Sequence, residues 1–468
     1  MPLFDPQLLA SESGGSWTKT PDRPICGFSA DTRQLKAGEA FVALKTEKRD
    51  GRDFLGAAAA AGASAALVSA ADPRSNIPQL VVADPLAAFQ AIARANRRRF
   101  KGPVVGISGS AGKTSTKELL ALLLGGTGEG RVLATEANLN NHIGVPLTLT
   151  RLDPAFHRFA VVEAGIGAAG EMPPLALMIE PDVAIITLIA PAHLEHLRDL
   201  EGVAREKVAL PAAARPGGIA IYPPSCGRFA AFRDLSVPSV TVERTGCGSP
   251  PAPAGVHTDR MIFSVEHRGD ETLLHVAGGA AGGEPFVLRR VTDGMAHNAA
   301  LALCAALRLG IEPRLIRERL RTWQPAPMRG EVRREDGRLL YLDCYNANPA
   351  AMEDALAAFR AIAPEEMPRL FVLGCMEELG AGSAKFHREL GRSVGLRPDD
   401  QLFAVGERAA DIAAGAREGG ASEEQVHVAG EASELSGRVA QFRGAIFVKG
   451  SRRWQLERVA HAGGAVPH

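Results

Sequence analysis

"PVVGISGSAGKTSTKELLALLL", residues 103–124, runs from an apolar stretch through three glycines into a periodic leucine pattern. Val104, Val105 and Ile107 read as a buried strand, and Leu119, Leu122 and Leu123 fall on one helical face. Between them Gly106, Gly109 and Gly112 recur at every third position, followed by Lys113 and Thr114. A glycine-rich turn between a strand and a helix offers backbone N–H groups and the positive helix end to an anion. Lys113 adds charge for phosphate oxygens, and Thr114 adds a hydroxyl suited to magnesium. The spacing is GxxGKT and not the full GxxxxGK[ST], because Ile107 stands where the first glycine would fall. Gly109, Ser110, Ala111, Gly112, Lys113, Thr114 and Ser115 are therefore the expected phosphate cradle.

Such a loop needs a carboxylate for its metal, usually at the end of a neighbouring apolar strand. "RFAVVEAG" supplies Glu163. The adjoining "GIGAAG", Gly165–Gly170, satisfies the dinucleotide fingerprint GxGxxG, but the context opposes it. Glu163 would sit where a pyrophosphate approaches, Pro173 and Pro174 leave only a short helix, and no acid closes the next strand, "VAIITLI". After that strand comes "APAHLEHL", whose His193 emerges beside the strand of Glu163. His193 and His196 do not form HExxH, so a zinc hydrolase is not expected. Lys207, in "GVAREKVAL", reads on its own as a solvated helix lysine.

At 468 residues the chain has room for about three domains. Lys+Arg and Asp+Glu balance at 53 each, so no global field draws in nucleic acid or an anionic membrane. The six cysteines (Cys26, Cys226, Cys247, Cys304, Cys344, Cys375) show no CxxC pairing and read as free thiols of a reducing compartment. The start, "MPLFDPQLLASESGG", has no signal-peptide pattern, and the longest apolar stretch carries Glu180 and Asp182 in its middle. No membrane span is expected, and a cytoplasmic location is.

Residues 1–100 alternate short strand-like runs with Ala-rich helical ones and close on "PLAAFQAIARANRRRF". The arginines of its last turn suit the negative helix end and read as a solvated cap. A second unit, 101–323, starts at the phosphate-loop strand. It contains one loose loop, "RTGCGSPPAPAGVHTD", and ends on the helix "NAALALCAALRLGI". From 324 to 468 the strand candidates "LLYLDCY", "RLFVLGC", "QLFAVG", "VHVAG" and "IFVKGS" alternate with helices such as "AAMEDALAAFRAI" and "RRWQLERVAHA". That rhythm predicts a parallel sheet wrapped by helices.

Several stretches together resemble the Mur ligase family of ATP-dependent amide-bond-forming enzymes. They include "SADTRQLKAGEAFVALKTEKRDGRDF", "TEANLNNHIGVPLTL", "VVEAGIGAAGE", "DGMAHNAALA", "LDCYNANPAAM", "VLGCMEELG" and "VKGSRRWQLE", besides the phosphate loop. The loop alone would fit any ligase of the wider family, folylpolyglutamate-type synthetases included; "YNANP" and "NLNNHIGVP" are the specific stretches. The resemblance implies an α/β protein of three domains: an N-terminal UDP-sugar-binding domain, a central P-loop ATPase with a mostly parallel sheet, and a Rossmann-like C-terminal domain. ATP and magnesium are the implied cofactors. The implied substrates are UDP-muramoyl-tripeptide and D-Ala-D-Ala, and a monomer is expected.

Carried over residue by residue, the resemblance places Thr114, Glu163, His193 and a carbamylated Lys207 around magnesium, with Lys113, His193 and Lys207 catalytic. Asn298 would meet adenine, Arg329 the γ-phosphate and Asp343 the ribose. Asp31, Thr32 and Arg33 would lie near the UDP moiety, and Asn138, Asn140 and Asn141 near the muramoyl-peptide. Leu301, Cys375 and Ala209 depart from the family's usual Asn, Asp and Glu. A Mur-type ligase that adds a single amino acid remains an alternative, as does a P-loop switch that hydrolyses nucleotide to change partners.

Overall fold

The computed structural model describes residues 2–126, 131–246, 258–278, 283–335 and 337–460. Three sheets follow one another along the chain, with five, nine and six strands. In the first, strands Phe28–Ser29, Ala40–Val42, Ala65–Val68 and Gln79–Val81 lie parallel, and Ser16–Trp17 adds an antiparallel edge. Helix Pro85–Arg99 packs on this sheet through Ala88, Phe89 and Ile92. Its start is set by Asp84, whose carboxylate caps the Leu86 and Ala87 amides, and by Pro85 at the first helical position.

The basic end of that helix is not the solvated cap expected from sequence. Arg97 is fully buried and donates to the Ile179 and Glu180 carbonyls and to Asp182 Oδ2, at 2.8, 2.7 and 2.8 Å. Arg94 and Arg98 pair with Glu180. The helix end therefore docks the first sheet's unit onto the second, using the two acids that interrupt the apolar stretch around residue 180.

In the central sheet, the seven strands from Val132–Ala134 to Thr258–Arg268 run parallel, and Glu271–Val276 and Phe286–Arg289 close one edge antiparallel. Strand Val104–Ser108 lies between Phe159–Glu163 and Val183–Ile186. Helix Lys113–Leu123 follows it and buries Leu119, Leu120 and Leu123 completely. The loop expected over 244–259 lies mostly outside the described residues, as does Cys247. Helix Pro313–Thr322 follows the expected last helix of this unit; its start is marked in the sequence by Pro313 at the first helical position.

The third sheet runs Glu331–Glu335, Arg338–Asp343, Ala445–Lys449, Arg369–Gly374, Gln401–Val405, Val426–Ala429, parallel except for its first strand. The five expected strands are present. The helix expected over "RRWQLERVAHA" is broken. One turn, Arg452–Trp454, stops at Gln455 with φ +48°, and helix Glu457–Ala460 then runs to the last described residue, with His461 and Ala462 outside the described residues. A residue in the left-handed region cannot continue a right-handed helix.

Candidate active site

Ile107 and Glu163 are register partners, so the phosphate loop and the Glu163 carboxylate leave adjacent strands side by side. This is the carboxyl edge of a parallel sheet, where ligands of open α/β folds bind. Two of the loop's glycines are required by geometry. At Gly109, φ +153°, a Cβ would stand 1.8 Å from Thr187 Oγ1; at Gly112, φ +80°, it would stand 2.4 Å from Asn298 Nδ2. Lys113 Nζ folds back to the Gly109 carbonyl at 2.9 Å. Burial, reinforced by the nearby Arg329 charge and opposed by Glu163, holds its amine below the usual lysine range.

Glu163 is 1% exposed, and its Oε1 accepts from Asn140 Nδ2 at 2.8 Å and from the Thr114 hydroxyl at 3.3 Å. Its Oε2 is buried without a partner. An orphaned carboxylate oxygen beside a hydroxyl is a hard-oxygen donor set, so the residues present fit a magnesium-type cation. Thr135 fixes the strand end: its hydroxyl accepts the Glu163 amide at 2.9 Å, and its carbonyl takes buried Lys117 Nζ at 2.8 Å.

The rejected dinucleotide motif is occupied from within. Glu171 takes the Gly167 and Ala168 amides, and Glu206 takes those of Gly170 and Met172. The Gly167, Ala168 and Gly170 amides of the motif are therefore already taken. Glu206 thereby ties helix Leu200–Lys207 to this turn, and the next residue, Lys207, points inward at 1% exposure. The sequence alone suggested a solvated lysine. Instead, among the described residues, Lys207 Nζ makes no hydrogen bond or ion pair. Burial, and then the Lys113 charge, pushes its pKa well below the ordinary lysine value. His193, in a left-handed backbone at φ +53°, turns its Nδ1 to Glu378 of the third sheet's unit. Its pKa is lowered, chiefly by burial, with Lys207 and Lys113 adding to the effect and Glu378 opposing it.

A cavity of about 550 Å³ lies between the central and C-terminal units. Ser110, Ala111, Gly112, Lys113, Thr114, Ser115, Asn138, Asn140, Glu163, Asn298, Arg329 and Asp343 line it. Arg329 places a guanidinium nitrogen 3.3 Å from the Thr114 hydroxyl and stacks over Tyr345 at 4.0 Å. Asp343 pairs with buried Lys449 at 2.6 Å. Asn141 is outside the cavity lining; its Oδ1 caps the Ile143 and Gly144 amides. Asp31, Thr32 and Arg33 sit apart from the cavity, in the first unit, where Asp31 and Arg33 form a carboxylate–guanidinium fork at 2.7 Å. Sequence reasoning assigned no role to Asn348, whose Nδ2 reaches the Ser110 carbonyl at 3.2 Å, or to Glu378. Asn348 lies inside the quoted "YNANP" stretch; Glu378 carries no local signal beyond "MEELG".

Comparison with known proteins covers the same three units. Family models match residues 24–97 (Mur ligase family, catalytic domain), 107–305 (Mur ligase middle domain) and 328–452 (Mur ligase, glutamate ligase domain). The UDP-N-acetylmuramoyl-tripeptide–D-alanyl-D-alanine ligase of Escherichia coli (strain K12) is 34% identical over 449 residues, 94% of each chain. The ligase of the same name from Bacillus subtilis (strain 168) is 31% identical over 395 residues, 84% of this chain and 82% of its own. Among solved structures, MurF from Acinetobacter baumannii superposes with a TM-score of 0.83 at 26% identity, over 98% of both chains.

Proposed function

The chain belongs to the Mur ligase family, and from that membership we propose its reaction. It is an ATP-dependent, ADP-forming ligase that joins D-alanyl-D-alanine to UDP-N-acetylmuramoyl-tripeptide in peptidoglycan precursor synthesis. One structural observation carries the reading: a glycine loop, a lysine, an orphaned carboxylate and a second α/β unit all face a single cavity.

A carboxylate is a poor acyl donor because its leaving group would be oxide. Attack of the tripeptide's carboxylate oxygen on the γ-phosphorus forms a new O–P bond and breaks the one to the β,γ-bridging oxygen, releasing ADP. The amine of the dipeptide then adds to the acyl phosphate carbonyl. The tetrahedral intermediate collapses as phosphate leaves with the C–O electron pair, and the nitrogen gives up its proton. Positioning and charge neutralisation do most of this work, so no nucleophilic side chain is required.

In this scheme the amides of residues 109–115 and Lys113 hold the phosphate oxygens, and Arg329 faces the γ-phosphate. Asn298 meets adenine. Asp343, braced by Lys449, takes the ribose. Asp31, Thr32 and Arg33 serve the UDP moiety, while Asn138 and Asn140 face the muramoyl-peptide and Asn141 acts through the turn it caps. Magnesium, when bound, would be held by Thr114, Glu163, His193 and Lys207 and would supply positive charge to the phosphate oxygens. Lys207 is suited to that set as a carbamate: its buried amine, once neutral, adds carbon dioxide and loses a proton to become a two-oxygen anion.

The five described cysteines are free, which suits a reducing cytoplasm, and no described helix is long and apolar enough to cross a membrane. We infer a cytoplasmic monomer. The test of the reaction is ADP release with UDP-muramoyl-tripeptide across D-Ala-D-Ala, single D- and L-amino acids, and glutamate. D-Ala-D-Ala should stimulate far more than D-Ala alone. Preference for a single amino acid would leave only the ligase class standing, and phosphate release without any amine would favour the nucleotide switch.

A further inference from the structure

The loop after strand Arg369–Gly374 carries Glu378 in a left-handed backbone, φ +59°, with its carboxylate on His193 Nδ1. The two residues are 185 positions apart and belong to different sheets. The contact is not a chance meeting of two long side chains. The Glu378 carbonyl lies 3.5 Å from the Glu195 amide. At Gly380, φ +60°, a Cβ would come within 3.2 Å of the Glu195 backbone. Behind the loop, fully buried His387 accepts the Met376 amide at Nε2, at 2.9 Å, and donates from Nδ1 to the Ser383 carbonyl at 2.7 Å. The loop is thus fixed from inside its own unit and seated against the backbone that carries His193.

A neutral imidazole has one N–H, and a carboxylate at Nδ1 claims it, so Nε2 keeps its lone pair. Among the described residues His193 Nε2 has no partner. Without Glu378 the ring would sample both tautomers and turn about its side-chain bonds, although its backbone stays pinned by the His196 and Leu197 amides. We propose that Glu378 is a positioning residue: docked from the C-terminal unit, it fixes the His193 tautomer and leaves Nε2 free as a donor. The donor set around the phosphate loop is then complete only while the two units are together. This rests on the reading of His193 as a metal-side residue.

The test is Mn2+ binding in the presence of ADP, measured by calorimetry on full-length wild type, Glu378→Ala, Glu378→Gln, His193→Ala and the His193→Ala/Glu378→Ala pair. Loss of a carboxylate that orients a ligand histidine costs about tenfold or more in metal affinity. Glu378→Ala should show a loss of about that size, and Glu378→Gln a smaller one, because its amide oxygen still accepts from Nδ1. The pair should bind no more weakly than His193→Ala alone. Metal-free ADP affinity, measured with a chelator present, should be unchanged in Glu378→Ala. Wild-type Mn2+ affinity in Glu378→Ala overturns the proposal, as do additive losses in the pair or an equal loss of metal-free ADP binding, which would mark a simple inter-unit clasp. Failure of the wild type itself to bind Mn2+ with ADP would overturn the nucleotide reading and this proposal together.

Discussion

Lys113 and Lys207 both carry amines taken out of water near one another, and each has a pKa pushed down by burial. Lys113→Ala should abolish ADP release yet leave the thermal midpoint within a few degrees, because a loop lysine contributes charge to phosphate and little to a core. Full activity in a folded variant removes the nucleotide assignment. Lys207→Ala should also be inactive, with partial rescue by an added short carboxylic acid that fills the vacated ligand position. Lys207→Arg should stay inactive, since guanidinium keeps its charge and cannot carry a carbamate; wild-type rates there would end the carbamate reading. A third residue reports on pH. Burial and then the Arg244 charge lower the His297 pKa from 6.5 to about 4. The unfolded chain therefore takes up this proton first as pH falls. Stability from this source is complete above the unfolded value and is lost between about 6.5 and 4, costing about 1 kcal/mol by pH 5.5. Urea midpoints at pH 7.5 and 5.5 should differ less in His297→Gln than in wild type, and an identical difference would assign the acid sensitivity elsewhere.

Among the elements, the strand–loop–helix of residues 104–123 and the alternation after residue 325 were legible because their signals are local: apolar runs, glycines, and a period that changes from 2 to 3.6. The helix Pro85–Arg99 shows where such reading stops. Its limits follow from Asp84, Pro85 and the apolar stripe, but whether its arginines meet water or carbonyls depends on Ile179–Asp182, more than 80 positions away. The same holds for Glu378 and for Lys207, whose burial follows from how Glu206 ties its helix to the Gly167–Met172 turn. Arg97→Met keeps the volume but leaves the Ile179 and Glu180 carbonyls without their donor in the interior, and should destabilise by about 3 kcal/mol. Arg98→Met, at the exposed end of the same cluster, should cost less than about 1 kcal/mol. Equal urea midpoints for the two variants would mean that the helix end does not hold the units together.

For the whole molecule, the two seams differ in kind. The first and central units share apolar packing, with Ala93 and Phe100 of one chain segment set in a cluster with Val145, Leu149 and Met172 of the other, closed by buried Arg97. The central and C-terminal units meet across a cavity through polar contacts: Asn348 to Ser110, Arg329 to Thr114, Asp354 to the Gly294 amide, and Glu378 to His193. Apolar surface removed from water holds a seam at all times, whereas a few hydrogen bonds at the rim of a cavity compete closely with water. A ligand that fills the cavity adds contacts to both sides of the second seam and none to the first, so it should shift only the second. Hydrogen exchange with and without ADP and magnesium should therefore show new protection in three segments, the phosphate loop, residues 346–351 and residues 376–380. Exchange at residues 179–182, beneath Arg97, should not change. Slowing spread evenly over both seams would mean that the molecule tightens as one body, and absence of protection at 376–380 would separate the Glu378 loop from nucleotide binding.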